Sequence, residues 1–359
     1  MYYKIRKDTL RALGAKIFEY CGLPTEYAVL VSDILSTNDQ RGVYSHGTTF
    51  YHGYARMLLN GGANPAAHFC YTSGSCIKKA DGDYGLGVIN CHKAMSLAIE
   101  EAREHGLGIV TVKRSTHAAA MGYYAMMAAE KNMFGIAMSN GDPVMSTPGT
   151  KGRVMGNNPF AYATPRKGGA ILFDVAMSVV AGGKIKNYID KNARIPEGWL
   201  VDKDGIPTND PTEFTKGGSL LPFAMHKGYG LAVMVEILSA VLSGSGIIKD
   251  NTDWFADPSA KNDIGHFMLA LDISRFSCMD EYLTRIAKME RDIKTSAYAN
   301  TSEVFLPGEP EIKKAERQNE WISLNKAIYE NINKAHELCG LHIPECSFEF
   351  VDNNTDWVS

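Results

Sequence analysis

Apolar positions spaced three and four apart open the chain. Leu10, Leu13, Ile17 and Cys21 recur at that spacing after Asp8, and Gly22-Leu23-Pro24 stops the run, which predicts a first amphipathic helix. Thr25 caps a second, with Ala28, Val31 and Leu35 on one face, running out near Asn38-Asp39. Tyr51 to Leu59 predicts a short third helix, ended by Gly61-Gly62-Ala63-Asn64-Pro65. To this point the pattern predicts helix alone.

The period then shortens. Gly108 to Val112, Met133 to Met138, Phe160 to Ala163, Ala170 to Phe173 and His266 to Ile273 are apolar runs bounded by glycine, proline or charge, which predicts buried strands. Helices are expected between them at Cys91 to Glu104 and Met121 to Lys131, and later at Tyr229 to Leu242, taken as buried, and at Met279 to Ile293. Residues 187 to 222, rich in proline, glycine, aspartate and lysine, read as one long ordered loop. Asn325 to Leu338 returns to helical spacing with Ile328, Ile332 and Ala335. The class is therefore α/β, an α+β body built on a mixed sheet. Residues 1–72 and 310–345 are expected to pack together as a discontinuous helical domain around a body at 73–309, with 346–359 as a C-terminal tail.

Composition narrows the functions. With 359 residues and 45% hydrophobic content the chain can build more than one core. Lys+Arg 37 against Asp+Glu 40 gives a net charge of −3, a balance that invites neither nucleic acid nor an anionic membrane, so a small molecule or a second copy is the expected partner. Seven scattered cysteines without Cys-x-x-Cys suit free thiols in a reducing cytoplasm and offer no metal-ligand spacing. The most apolar stretch, Gly230 to Ile248, contains Glu236 and ends in Ser243-Gly244-Ser245-Gly246, which fits a core helix better than a membrane span.

Candidate chemistry concentrates in Arg41-Gly42-Val43-Tyr44-Ser45-His46-Gly47, after the second helix. A serine beside a histidine suits proton transfer, because imidazole titrates near neutral pH; a polar helix end is the alternative. Arg114-Ser115-Thr116-His117 runs from a strand end into Ala118-Ala119-Ala120, small residues that let a ring or phosphate approach a helix start. Gly82-Asp83-Tyr84-Gly85-Leu86-Gly87 is the nearest approach to a dinucleotide fingerprint. Its spacing fails, since Asn90 stands where the third glycine belongs, and the glycines read as turn residues. Lys227-Gly228-Tyr229-Gly230 places a cation at a helix start, suited to an anion or simply solvated.

Taken in order, RGVYSHG, the His117 segment, GNNPFAYATP, FDVAMSVVAGGKI, IPEGWLVDKDGIPTNDP, KGYGLAVMVEILSAVLSG and VFLPGEPE resemble the type-2 malate/L-lactate dehydrogenase family, which includes ureidoglycolate, sulfolactate and 2,3-diketogulonate oxidoreductases. The resemblance spans about residues 4 to 340. It implies a non-Rossmann, sulfolactate-dehydrogenase-like α/β fold, with the 73–309 body binding NAD, or alternatively NADP, and a homodimer with active sites near the subunit interface. It implies hydride transfer between the nicotinamide and C2 of a small 2-hydroxy or 2-oxo acid. Cyclic imine acid reduction, or a cofactor-binding homologue without activity, are the alternatives. By motif it implies Ser45, His46 and His117 as catalytic, and Tyr54, Asp142 and position 50 as substrate-binding. Gly141, Asp174, Val175, Ala176, Lys227, Gly308, Glu309 and Pro310 are implied at the cofactor, and no metal is expected. One departure matters: members reading SHGxxR clamp the substrate carboxylate with arginine, but here Phe50 takes that place.

Overall fold

The chain enters a sheet before it enters a helix. The structure is a computed structural model and describes residues 2–72, 74, 76–296 and 303–351. Strand β1 (Tyr2–Arg6) lies between β14 (Trp321–Asn325) and β15 (Glu349–Val351), antiparallel to both. The all-helical start is thus corrected. Only Ile5 of the five residues of β1 is fully buried, so the strand leaves too little alternation to be read. Glu349–Val351 falls in the expected tail yet closes this sheet, while 352–359 lie outside the described residues.

Helices α1 (Lys7–Tyr20), α2 (Thr25–Gln40) and α3 (Tyr51–Leu59) follow β1, and α10 (Lys326–Leu338) packs on α3. Their apolar faces meet the interior of the body: Leu10, Ile17, Val31, Ile34, Ile328 and Ile332 share one continuous core with Met95, Ala98, Val110 and Met268.

A seven-stranded sheet forms the body, in the order β2 (Cys70–Tyr71), β3 (Ile77–Gly85), β4 (Leu107–Ser115), β13 (Ile264–Asp272), β5 (Met133–Ser139), β8 (Phe160–Arg166), β9 (Gly169–Val175). β3 and β4 are parallel and joined by α4 (Gly87–His105), as a parallel pair requires. β13, from late in the chain, inserts antiparallel between β4 and β5. Helix α5 (Met121–Ala129) and α4 cover one face. On the other, Val235 of α7 (His226–Glu236) packs with Met138 and Phe267.

Residues 187–222, expected as a loop, instead complete a second sheet of five short strands. Its order is β11 (Pro207–Thr208), β10 (Leu200–Val201), β12 (Ser219–Leu220), β6 (Pro143–Met145), β7 (Met155–Gly156). Strands of two or three residues carry no readable period. This sheet and α6 (Gly182–Asp190) enclose a separate core around Met145, Ile185, Leu200, Phe214 and Leu220. Helix α8 (Met279–Lys294) runs outside the large sheet, and α9 (Glu309–Gln318) leads back to β14. The helix from Tyr229 to Leu242 is not buried as expected. It passes from α7 into a π-helical turn at Ile237–Val241, and Tyr229, Leu231, Ile237, Val241 and Leu242 are 37–56% exposed. Among the described residues no helix is long and apolar enough to cross a membrane.

Candidate active site

Helix α2 ends by handing its last polar residues to the loop that follows. Gly42, at φ +80°, turns the chain back in a conformation glycine adopts without strain. Asn38 Nδ2 then donates to the His46 carbonyl at 2.9 Å, and Asp39 Oδ2 accepts from the Thr48 amide at 2.9 Å and its hydroxyl at 2.5 Å. Asp39 is fully buried, and burial pushes its carboxyl up to about 7. Ser45 Oγ lies 2.8 Å from His46 Nδ1, and burial lowers the His46 pKa to about 4, so the imidazole is neutral at pH 7.

His117 approaches from β4. Its position rests on close backbone packing: a Cβ on Gly87 would lie 2.0 Å from the Thr116 carbonyl, and the Gly87 amide donates to Thr116 Oγ1 at 3.0 Å. Asn90 Nδ2 donates to the Gly82 and Gly85 carbonyls, each at 3.2 Å. The failed fingerprint is therefore a packed turn beneath His117, with Asn90 as its brace. The rings of His46 and His117 face each other at 5.9 Å between centroids. Burial first, then the neighbouring His46 and His266, hold the His117 pKa well below its usual value. His266 lies under the sheet end, bonded to Ser139 and Ser115 Oγ at 2.9 Å each.

An aromatic wall closes one side. Phe50 meets His117 edge-on at 4.8 Å, Tyr54 at 5.5 Å and Trp254 at 5.7 Å, while Trp254 stacks on Phe255 at 3.8 Å. Tyr54 is wholly buried with its hydroxyl on His117, behind the site and not open to it. On the other side, Ser45 and His46 open into a cavity of about 600 Å³ that also reaches Arg41, Asp174, Val175 and Ala176. Three helix starts border it, at Ala120 to Gly122 of α5, Ala181 of α6 and Gly308 of α9. Arg41 lines this space and, among the described residues, its guanidinium makes no side-chain hydrogen bond or ion pair. Asp174 Oδ2 accepts the Gly122 amide at 2.7 Å, and burial raises its carboxyl to about 6. A cation and backbone N–H groups around an extended cavity fit a dinucleotide and its phosphates.

The remaining expected residues divide. Gly308 borders the cavity, at φ +83° and tight against Leu172. Glu309 turns away: Lys294, Arg166 and the Leu306 amide engage its carboxylate at 2.6, 3.1 and 2.7 Å, and Pro310 follows it into α9. Its side chain thus locks the turn and does not reach the cavity. Gly141 and Asp142 are not in the lining, although Asn157, which is, lies 3.8 Å from a Cβ placed on Gly141. Burial and the charge of Asp253 raise the Asp142 carboxyl to about 6. Lys227 sits exposed at the start of α7, outside the lining. Sequence reasoning missed Asn38 and Asp39, which read as a helix end, gave Arg41 no role of its own although it opens the Ser-His stretch, and missed Trp254 and Phe255, which lie in a turn without period. Among the described residues no group of three or more potential metal ligands exists.

This assembly has counterparts among characterised proteins. The family model for malate/L-lactate dehydrogenase matches residues 5–333. Malate dehydrogenase of Pyrococcus abyssi is 37% identical over 352 residues, covering 95% of this chain and 96% of that protein. The NAD(+) ureidoglycolate dehydrogenase of Escherichia coli K12 is 31% identical, covering 91% and 94%. The structure of sulfolactate dehydrogenase from Methanocaldococcus jannaschii superposes with a TM-score of 0.86 at 31% identity, covering 94% of this chain and 98% of that one. The chain is a dehydrogenase of the malate/L-lactate dehydrogenase family.

Proposed function

We propose that the protein transfers a hydride reversibly between a nicotinamide cofactor and C2 of a small 2-hydroxy or 2-oxo acid, with His46 as the proton acceptor and donor. The observation that carries this is that His46, neutral and paired with Ser45, lines the cavity that Arg41, Asp174 and three helix starts border. Arg41, the start of α5 and the Asp174–Ala176 segment would hold the dinucleotide, which supplies the two-electron hydride acceptor. In oxidation the substrate hydroxyl gives its proton to the free nitrogen of His46 as the C2–H bond breaks; in reduction the imidazolium returns it to the oxygen. His117, facing His46 across 5.9 Å, polarises the same oxygen. Assays of 2-oxo acids with NADH and with NADPH test this, and absence of turnover with both cofactors would overturn it.

The finer substrate choice follows from Phe50. The rings of Phe50 and Phe255 present no hydrogen-bond donor to a second carboxylate, so 2-oxo monocarboxylates with apolar tails suit this wall better than dicarboxylates. NAD suits the cofactor site, as in the ureidoglycolate relative, with NADP the alternative. A homodimer is the assembly that fits the exposed apolar face of α7 and its π-helical turn, since such a patch calls for a cover. A reducing cytoplasm remains the compartment that best suits seven unpaired cysteines.

A further inference from the structure

The loop that presents His46 is held from below by one carboxyl group. Asp39 has no exposed surface, and both Thr48 donors converge on its Oδ2. Its other oxygen, Oδ1, is buried without a hydrogen-bond partner, and no cation pairs with the group among the described residues. A polar atom left so is costly, so the carboxyl is kept for something besides stability. Gly47 shows what. Its φ of −101° is negative, so no left-handed conformation demands glycine here. The three nearest atoms to a Cβ on Gly47 all belong to Asp39, with Oδ1 at 1.8 Å, Cγ at 2.4 Å and Oδ2 at 2.9 Å. The carboxyl group and the turn that follows His46 are thus in direct contact, and Asn38, one residue earlier, holds the His46 carbonyl.

We propose that Asp39 is a positioning residue for His46: packed under Gly47 and bonded to Thr48, it sets the height of the Ser45–Thr48 turn and so the place of the imidazole in the cavity. This rests on the reading of His46 as the proton-transfer group. It ties Gly47 to Asp39, since the three nearest atoms that a side chain at position 47 would meet all belong to that carboxyl.

The test is a double-mutant cycle on the full-length protein, reading kcat and the NADH dissociation constant. Asp39→Ala and Gly47→Ala should each lower kcat on the order of 10²-fold, the scale of a small misplacement of reacting groups. NADH affinity should stay unchanged. The double variant should be no slower than Asp39→Ala, because the obstacle to a methyl group at position 47 has gone. Asp39→Asn, which keeps an acceptor for Thr48, should retain most of the turnover. Thr48→Val, which removes one donor at constant size, serves if Asp39→Ala does not fold, and should lower kcat without weakening NADH. Additive losses in the double variant, wild-type kcat in Asp39→Ala or Thr48→Val, or a parallel loss of NADH binding would each overturn the proposal. If wild type turns over no 2-hydroxy or 2-oxo acid, the functional reading fails by itself. The imidazole is then followed by nitrogen chemical shifts in histidine-labelled protein: a change at His46 but not at His266 in Asp39→Ala supports the positioning role, and an unchanged His46 overturns it.

Discussion

The Tyr54 hydroxyl lies 2.8 Å from Nδ1 of His117 and 3.2 Å from its carbonyl oxygen, so one buried phenol fixes both the ring and the backbone of that histidine. The Ala119 amide also points at Nδ1, at 3.4 Å. The phenol has one proton: given to the carbonyl, it makes Nδ1–H the donor to Tyr54, and given to Nδ1, it leaves the His117 proton on Nε2; the Ala119 amide, which can only donate, favours the second arrangement. That tautomer makes His117 a hydrogen-bond donor, complementary to His46 as proton acceptor.

Tyr54→Phe removes this anchor while keeping the aromatic packing. Loss of a buried partner costs about 1–3 kcal/mol. The expected outcome is a lower melting temperature and a fall in kcat of one to two orders of magnitude, on the scale of misplaced groups. Steady-state kinetics beside a thermal melt check it, and unchanged kcat would deny His117 a role in the reaction.

Two histidines make a contribution to stability that acid removes. His46 titrates at about 4 and His266 at about 3 in the folded protein, both below the ordinary value of 6.5. Below pH 6.5 the unfolded chain takes up protons that the fold refuses, so this contribution is intact above pH 6.5 and is lost as pH falls toward 4. Asp39 acts with the opposite sign, since its folded value near 7 exceeds 3.8 and its contribution is lost as pH rises through it. His46→Gln should therefore flatten the acid side of a stability–pH curve between 4 and 6.5, measured by denaturant unfolding. A slope equal to wild type would contradict the neutral His46.

Two cations stand differently toward the cavity. Arg41 lines the cavity and makes no side-chain hydrogen bond or ion pair among the described residues, whereas Lys227 is exposed outside the lining. Arg41→Gln should weaken NADH about tenfold, the equivalent of ~1.4 kcal/mol, and reduce the salt dependence of binding. Lys227→Ala should have the smaller effect in isothermal titration; the reverse order would move the phosphate site toward α7.

Phe50 is 8% exposed and shares contacts with five other rings. Wild type should thus favour apolar-tailed 2-oxo acids over oxaloacetate in kcat/KM. Phe50→Arg should raise the oxaloacetate to pyruvate ratio, at the expense of stability, because the charge enters a ring cluster. A wild type that already prefers oxaloacetate would assign the carboxylate clamp to Arg41 or another cation.

How much was legible in the sequence depended on period and length. The helices carrying Leu10 to Cys21, Ala28 to Leu35 and Ile328 to Ala335 and the long strands around Val110 and Met268 are regular enough to be read, and the ordered motifs led to the family. β1 and the five-stranded sheet escaped because strands of two to five residues held by long-range partners have no periodic signature. The Ser45-His46 turn stood out by its chemistry, but its supports did not. Asp39 acts across a turn, Tyr54 across 63 residues, and Trp254 from the far end of the chain, contacts that no local pattern encodes.

The central claim is that His46 moves the proton in a nicotinamide-linked reaction at C2. Its most direct test is kcat for His46→Ala against wild type on the best 2-oxo acid of a panel run with NADH and NADPH, with NADH affinity measured in both proteins. The expected result is a loss of roughly 10²–10⁴-fold in kcat, the worth of a positioned acid/base group, with NADH affinity preserved. A variant that keeps more than about a tenth of wild-type kcat would contradict the claim, since even the smallest such effect exceeds that margin.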